Sequence, residues 1–200
     1  MATLLVIQSS LSTTGQARQL AQQFANVWQT QHPDGQIIVR DLAANPLPHL
    51  SDSDIAAFFS PSESLDDVAM ARRQESDDLI AELQAADAVV IGVPMYNFGV
   101  PSTLKAYFDR IARAGVTFKY TEQGPVGLIA DKPVYLLAAR GGQYVGTAAD
   151  SQTPFLTTFL NFIGLRSLHY VYAEGLNMGA ELREAALRQA SETIDRLARS

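Results

Sequence analysis

The sequence contains no cysteine. Disulfides, thiolate metal centres and thiol nucleophiles are therefore excluded. Its three histidines, His32, His49 and His169, stand far apart without ligand spacing, so no metal site is expected. Charge is sparse: 18% of the 200 residues are charged, and 21 acidic against 15 basic residues leave a net charge of -6. With no basic block, nothing draws the chain to nucleic acid or to an anionic membrane. No apolar run approaches the roughly 18 residues of a membrane span. The run Leu4 to Ile7, after Met1-Ala2-Thr3, is too short for a secretory leader and lacks its basic start. A cytoplasmic protein is expected. Two nucleotide fingerprints are also missing, G-x-G-x-x-G and G-x-x-x-x-G-K-[ST]. Their absence argues against a resident dinucleotide and against nucleoside triphosphate hydrolysis.

What is present is 47% hydrophobic, enough for one domain, 1–200, with a sizeable core. Thr3–Ile7, Ile37–Val39, Val89–Val93, Val134–Ala138 and Ser167–Ala173 read as five buried strands. Ala17, Leu20, Ala21, Phe24, Val27 and Trp28 recur at helical spacing, and His32-Pro33-Asp34-Gly35 ends that helix. Further helices are predicted over 65–86, 101–113, 154–163 and 180–198. In the 101–113 helix, Lys105, Asp109 and Arg113 form the polar side. Strands alternating with helices indicate an α/β fold. The expected architecture is flavodoxin-like: a five-stranded parallel sheet of order 2-1-3-4-5 with helices on both faces. Thr117–Tyr120 predicts a hairpin arm turning at Gly124-Pro125. Residues 43–64, rich in Pro, Ser and Asp, form a loop long enough to be functional. Within it Ile55 to Phe59 suggests a helical turn, and Asp52 and Asp54 suggest solvated charges. Arg72-Arg73 reads as helix surface.

Ligands of such sheets sit beyond the carboxyl ends of the strands, near the switch in strand order. Three of those ends are unusual, and all three border one crevice. Gln8 to Gly15 is rich in hydroxyls and runs into a helix start, so it reads either as an ordinary capped turn or as an anion site. Pro94 to Phe98 ends a buried strand in large flat side chains, with Gly99 expected to permit a strained turn. Ala139-Arg140-Gly141-Gly142 lets the backbone approach something closely. A phosphate loop, a platform for a planar ring and a close-approach loop together point to flavin mononucleotide, FMN.

On "RDLAANPLP", "PMYNF", "LKAYFDRIARAGVTFKYTEQGPVGL", "ARGG" and "FLNFIG", the sequence resembles the FMN-dependent NADH-azoreductases, relatives of the NAD(P)H:quinone oxidoreductases, along essentially its whole length. The resemblance implies a homodimer with tightly but non-covalently bound FMN at two interface sites. It implies FMN contacts from Ser9 or Ser10, from Gly15, Gln16 and Ala17, from Met95, Tyr96, Asn97 and Phe98, and from Ala139, Arg140, Gly141 and Gly142. It also implies that Tyr120, and Phe162 of the partner subunit, shape the substrate cavity. The family commonly carries serines where Gly15, Ala17 and Ala139 stand. Phe58 and Phe59 stand near where relatives carry an arginine, so Phe59 is expected to favour apolar acceptors.

The chemistry expected is the flavin's own, with no catalytic side chain. NADH delivers a hydride to flavin N5, leaves, and an aromatic azo compound or a quinone takes its place. The competing reading is a flavodoxin-type electron carrier without a small-molecule substrate. The apolar stretch Phe155, Leu156, Phe159, Leu160, Phe162 and Ile163 implies a helix covered on both sides. It reads either as a deep core helix within one subunit or as a subunit interface. The interface, which favours the dimeric enzyme, explains it better because outer-layer helices normally keep one polar face.

Overall fold

The computed structural model describes residues 1–199. Seven strands and six helices follow one another as β1 (Thr3–Gln8), α1 (Gln16–Gln31), β2 (Gln36–Asp41), α2 (Asp52–Phe59), α3 (Asp67–Ala85), β3 (Ala88–Pro94), α4 (Ser102–Ile111), β4 (Phe118–Thr121), β5 (Gly124–Gly127), β6 (Val134–Ala139), α5 (Gln152–Ile163), β7 (Leu168–Ala173) and α6 (Ala180–Leu197). Five strands pair in parallel in the order β2-β1-β3-β6-β7. With the separate β4-β5 hairpin set aside, this is the order expected from the sequence.

Alternation along each central strand divides the core. Leu5, Ile7, Val89, Ile91 and Leu136 point to one face, under α3, α4 and α5. Leu4, Val6, Val90 and Leu137 point to the other, under α1 and α6. Every residue of β3 and of β6 is buried, as strands covered on both faces require. Each Val, Ile or Leu among them contributes about 1.5–3 kcal/mol by leaving water.

Several sequence expectations need correction. Gly124-Pro125 is not the hairpin turn; it opens β5, and Glu122-Gln123 makes the turn. The 43–64 segment is partly ordered by a capping box: Ser51 Oγ accepts from the Asp54 amide while Asp54 accepts from the Ser51 amide. Asp54 is therefore not solvated. It is 1% exposed and paired with Arg72 at 3.2 Å and with Arg110 at 3.5 Å. Arg73 is not free surface either, since it donates to the carbonyls of Ala57 and Ser60 at the end of α2. Arg113 lies beyond the last turn of α4, where helical periodicity no longer places it. It is buried, ion-paired with Asp77, and its guanidinium lies 5.0 Å from the Phe58 ring centre. Arg72 and Arg73 from α3, Arg110 from α4 and Arg113 just beyond it thus fasten the 43–64 segment to the body of the protein.

At the opposite edge, Asp131 caps the turn into β7. It accepts from the amides of Arg166 (2.8 Å) and Ser167 (3.0 Å) and from Ser167 Oγ (2.8 Å). These bonds favour the carboxylate and lower its pKa to about 2. A carboxyl held below its unfolded value, near 4, stabilises the fold fully above that value and loses the contribution as pH falls from about 4 toward 2. Asp131→Asn should lower the urea midpoint at neutral pH, and the gap from wild type should close across that acid window. A gap constant from pH 6 to pH 2 would contradict the assignment.

Candidate functional site

β1, β3 and β6 are neighbours, and register pairs Gln8 with Gly92 and Pro94 with Ala139. The three loops that follow therefore leave the same sheet edge side by side. The first begins with Ser9, fully buried, whose hydroxyl donates to the Gly92 carbonyl at 2.6 Å. Ser9 is thereby spent on the sheet. Ser10 Oγ remains in the loop, donating to the Ser12 carbonyl at 3.2 Å. A Cβ at Gly15 would lie 2.1 Å from Ser10 Oγ, so the Ser10 hydroxyl occupies the space that a side chain at position 15 would need. Ala17 packs in the core under α1 and offers the loop only its backbone.

Helix α1 then opens with no side-chain cap and no acidic residue in its first turn. Its leading N–H groups carry the positive end of the helix dipole into the loop. The nearest cation, Arg18, is already engaged. It grips both oxygens of Asp41 (2.7 and 3.0 Å) and donates to the Ser10 carbonyl at 3.2 Å. Its hydrogen bond holds the Asp41 carboxyl below the usual range. The loop therefore presents hydroxyls and amides, the neutral donor set that suits a phosphate at a helix start.

The second loop is a tight turn in which Tyr96 and Gly99 exchange both backbone hydrogen bonds, at 3.1 and 3.0 Å. Its two central residues have positive φ, Asn97 at 49° and Phe98 at 67°, as a two-residue hairpin turn of type I′ demands. The strain expected at Gly99 falls instead on Asn97 and Phe98. Asparagine tolerates this conformation; a bulky L-residue does so at about 1–2 kcal/mol. The Phe98 ring is nevertheless 53% exposed, touching Tyr144 edge-on at 5.6 Å. The Tyr96 hydroxyl accepts from the Leu11 amide at 3.2 Å and joins the first two loops, while the Met95 amide donates to the Ala139 carbonyl at 3.0 Å and joins the second to the third.

In the third loop Arg140 turns inward. Its side chain is buried against Glu174 (3.0 Å) and Asp150 (3.1 Å), over the Tyr172 ring. Only its backbone can face the crevice. Gly141 and Gly142 accept from the amides of Asn177 and Gly175, each at 2.9 Å. A Cβ at Gly141 or Gly142 would come within 2.6–2.7 Å of the Asn177 or Tyr144 side chain, so a side chain at either position would push that neighbour aside. The sequence pattern did not reveal Tyr144 or Glu174, which accepts from the Tyr144 and Val145 amides. Their one signal is that they follow the double glycine and β7 respectively.

The remaining site residues fall elsewhere. Tyr120, 75% exposed, and Phe162 both pack on Phe118, with ring centres 5.5 and 4.2 Å away. They belong to one cluster at the far end of α5. Ten residues separate Phe162 from Gln152, or about 15 Å of helix. Between them Pro154, Phe155, Thr158, Phe159 and Phe162 line an apolar depression of about 430 Å³. Phe59 is exposed at the end of α2. Among the described residues no group of acids and histidines is placed to hold a metal.

A family profile described as flavodoxin-like fold matches residues 2–198. An FMN-dependent NADH:quinone oxidoreductase of Cellvibrio japonicus is 55% identical over 98% of this chain and 98% of its own. FMN-dependent NADH:quinone oxidoreductase 6 of Burkholderia lata is 51% identical over 97% and 98%. Among solved structures, an azoreductase from Bacillus anthracis superposes with a TM-score of 0.91 at 28% identity, covering 100% of this chain and 99% of that one. An FMN-dependent NADH-azoreductase from the same species, in complex with FMN, gives 0.87 at 25%, covering 99% and 100%.

Backbone strain at an exposed aromatic is testable without any ligand. Phe98→Gly should raise the stability of the ligand-free protein by about 1 kcal/mol in urea denaturation. An unchanged or lower midpoint would show that the ring's contacts outweigh its backbone.

Proposed function

The chain belongs to the flavodoxin-like family of FMN-dependent NADH oxidoreductases, and on that footing we propose that it reduces quinones and cleaves aromatic azo compounds in two alternating half-reactions. The observation that carries this reading is the convergence of three loops, one of them holding a strained and exposed aromatic turn, at a single sheet edge. The residues fit FMN. Hydroxyls and uncapped amides of a helix start stand in the first loop, and the Met95 to Phe98 turn and the Gly141-Gly142 pair stand in the other two, with the Tyr144 ring against both Phe98 and Gly142.

When bound, FMN supplies the redox chemistry, accepting two electrons from NADH and delivering them once to a quinone or twice to an azo bond. The chain's own part is to bind and orient. Ser10 and the amides of Gln16 and Ala17 would hold the phosphate, joined by that of Gly15 once it releases the Ser12 carbonyl, with Ser9 fixing the loop from beneath. Met95, Tyr96, Asn97 and Phe98 would support one side of the ring. The backbone of Ala139, Arg140, Gly141 and Gly142 would approach it at the other, where amide donors favour developing negative charge. No dinucleotide fingerprint is needed if NADH is a visitor that leaves before the acceptor takes its place.

The active unit is a homodimer in this reading. Tyr120 and Phe162 share one cluster about 15 Å along α5 from the second loop of their own chain. A second copy packed antiparallel against the apolar face of α5 would bring both side chains over the partner's crevice, with Phe59 beside the entrance. No helix among the described residues is long and apolar enough to cross a membrane, and the enzyme would work in the cytoplasm, where NADH is available.

The test is double-mixing stopped flow on FMN-loaded protein. NADH alone should bleach the yellow colour, and later addition of a quinone or an azo dye should each restore it. Colour that returned only when NADH and acceptor were present together would rule out alternation. Phe162→Ala and Tyr120→Ala should each raise the acceptor KM by about tenfold while leaving FMN affinity unchanged. Light scattering at micromolar concentration should report a dimer.

A further inference from the structure

Gln152, the first residue of α5, is 1% exposed and lies between the second and third loops. Its Nε2 donates to the Pro94 carbonyl at 3.0 Å and to the Gly99 carbonyl at 3.2 Å. Those two carbonyls bracket Met95 to Phe98. Its Oε1 accepts from Arg140 Nε at 3.2 Å. Carbonyls require the amide's N–H groups and a guanidinium requires its oxygen, so the three partners fix one orientation of the side chain. Arg140 is itself anchored by Glu174, Asp150 and Thr153 Oγ1, and Glu174 in turn takes the amides of Tyr144 and Val145. Next to Gln152, Ser151 Oγ donates to the Phe98 carbonyl at 2.5 Å.

We infer that Gln152 is a positioning residue: it closes the two ends of the strained second loop, ties them to the third, and so sets the gap in which the ring is held. This deepens the FMN reading and rests on it. The turn at Asn97-Phe98 opposes its own backbone preference, and such a conformation persists only where its surroundings over-determine it. Gln152 supplies two of those determinants through a buried amide. No other side chain contacts the ends of the second loop and the base of the third at once in the hydrogen bonds described.

Two variants separate this role from simple packing. Gln152→Glu still accepts from Arg140 but cannot donate to Pro94 and Gly99. Gln152→Met keeps the volume and removes every hydrogen bond, without adding charge. In cofactor-free protein, hydrogen exchange at the Tyr96 and Gly99 amides should speed up about tenfold or more in both. FMN affinity, read by quenching of flavin fluorescence, should weaken about tenfold, and the visible circular dichroism of the bound flavin should change. Wild-type affinity and dichroism in a folded variant, even one with a lower melting temperature, would overturn the inference. So would unchanged exchange at Tyr96 and Gly99. If wild-type protein itself failed to bind FMN, the functional reading would fall, and the exchange rates would still decide whether Gln152 fixes the loop. If one variant does not fold, the other gives the same readings.

Discussion

Strands β1, β3 and β6 are sealed by helices on both faces, and the rest of the molecule follows from that enclosure. A strand so covered cannot carry polar chemistry along its length. The chain can present such groups only where it leaves the sheet. Because the three strands are neighbours in parallel register, their exits coincide, and a short β-branched run, repeated in the right order, sets three loops side by side at one sheet edge.

The loops are held by ion pairs that are buried or half-buried. Arg18 is locked to Asp41 beneath the first loop, Arg140 to Glu174 and Asp150 beneath the third, and Arg110 and Arg113 secure the 43–64 segment from α4 and its exit. Burying such pairs gains little net stability over apolar packing, whereas removing one partner is costly. Their value here is geometric. Each holds a backbone segment that has no regular hydrogen-bonded ladder of its own.

The strands, their order and the three loops were legible in the sequence because β-branched runs, helical spacing and strand-end chemistry are local. That Met95 to Phe98 forms a rigid turn with large side chains was legible for the same reason: such residues at a strand end have no local explanation. What escaped was non-local. Asp54 and Arg113 look like surface charges until α3 and α4 close over them. Arg140 reads as a crevice residue beside two glycines, yet its partners arrive from positions 150 and 174. Gly99 drew attention as the flexible residue of the turn, but reciprocal bonding between Tyr96 and Gly99 forces the left-handed conformation onto the two residues between them. The hairpin was placed correctly while its turn was misplaced, because Gly124-Pro125 is turn-like in composition although Thr121 Oγ1 bonds to the Gly124 carbonyl and closes the reversal just before it.

The hydroxyl of Ser10 fills the volume that any side chain at position 15 would claim. A side chain at 15 is admitted only if that hydroxyl swings away, and swinging away breaks its bond to the Ser12 carbonyl. The missing β-carbon thus keeps a neighbour's rotamer in place: what position 15 lacks decides where position 10 aims.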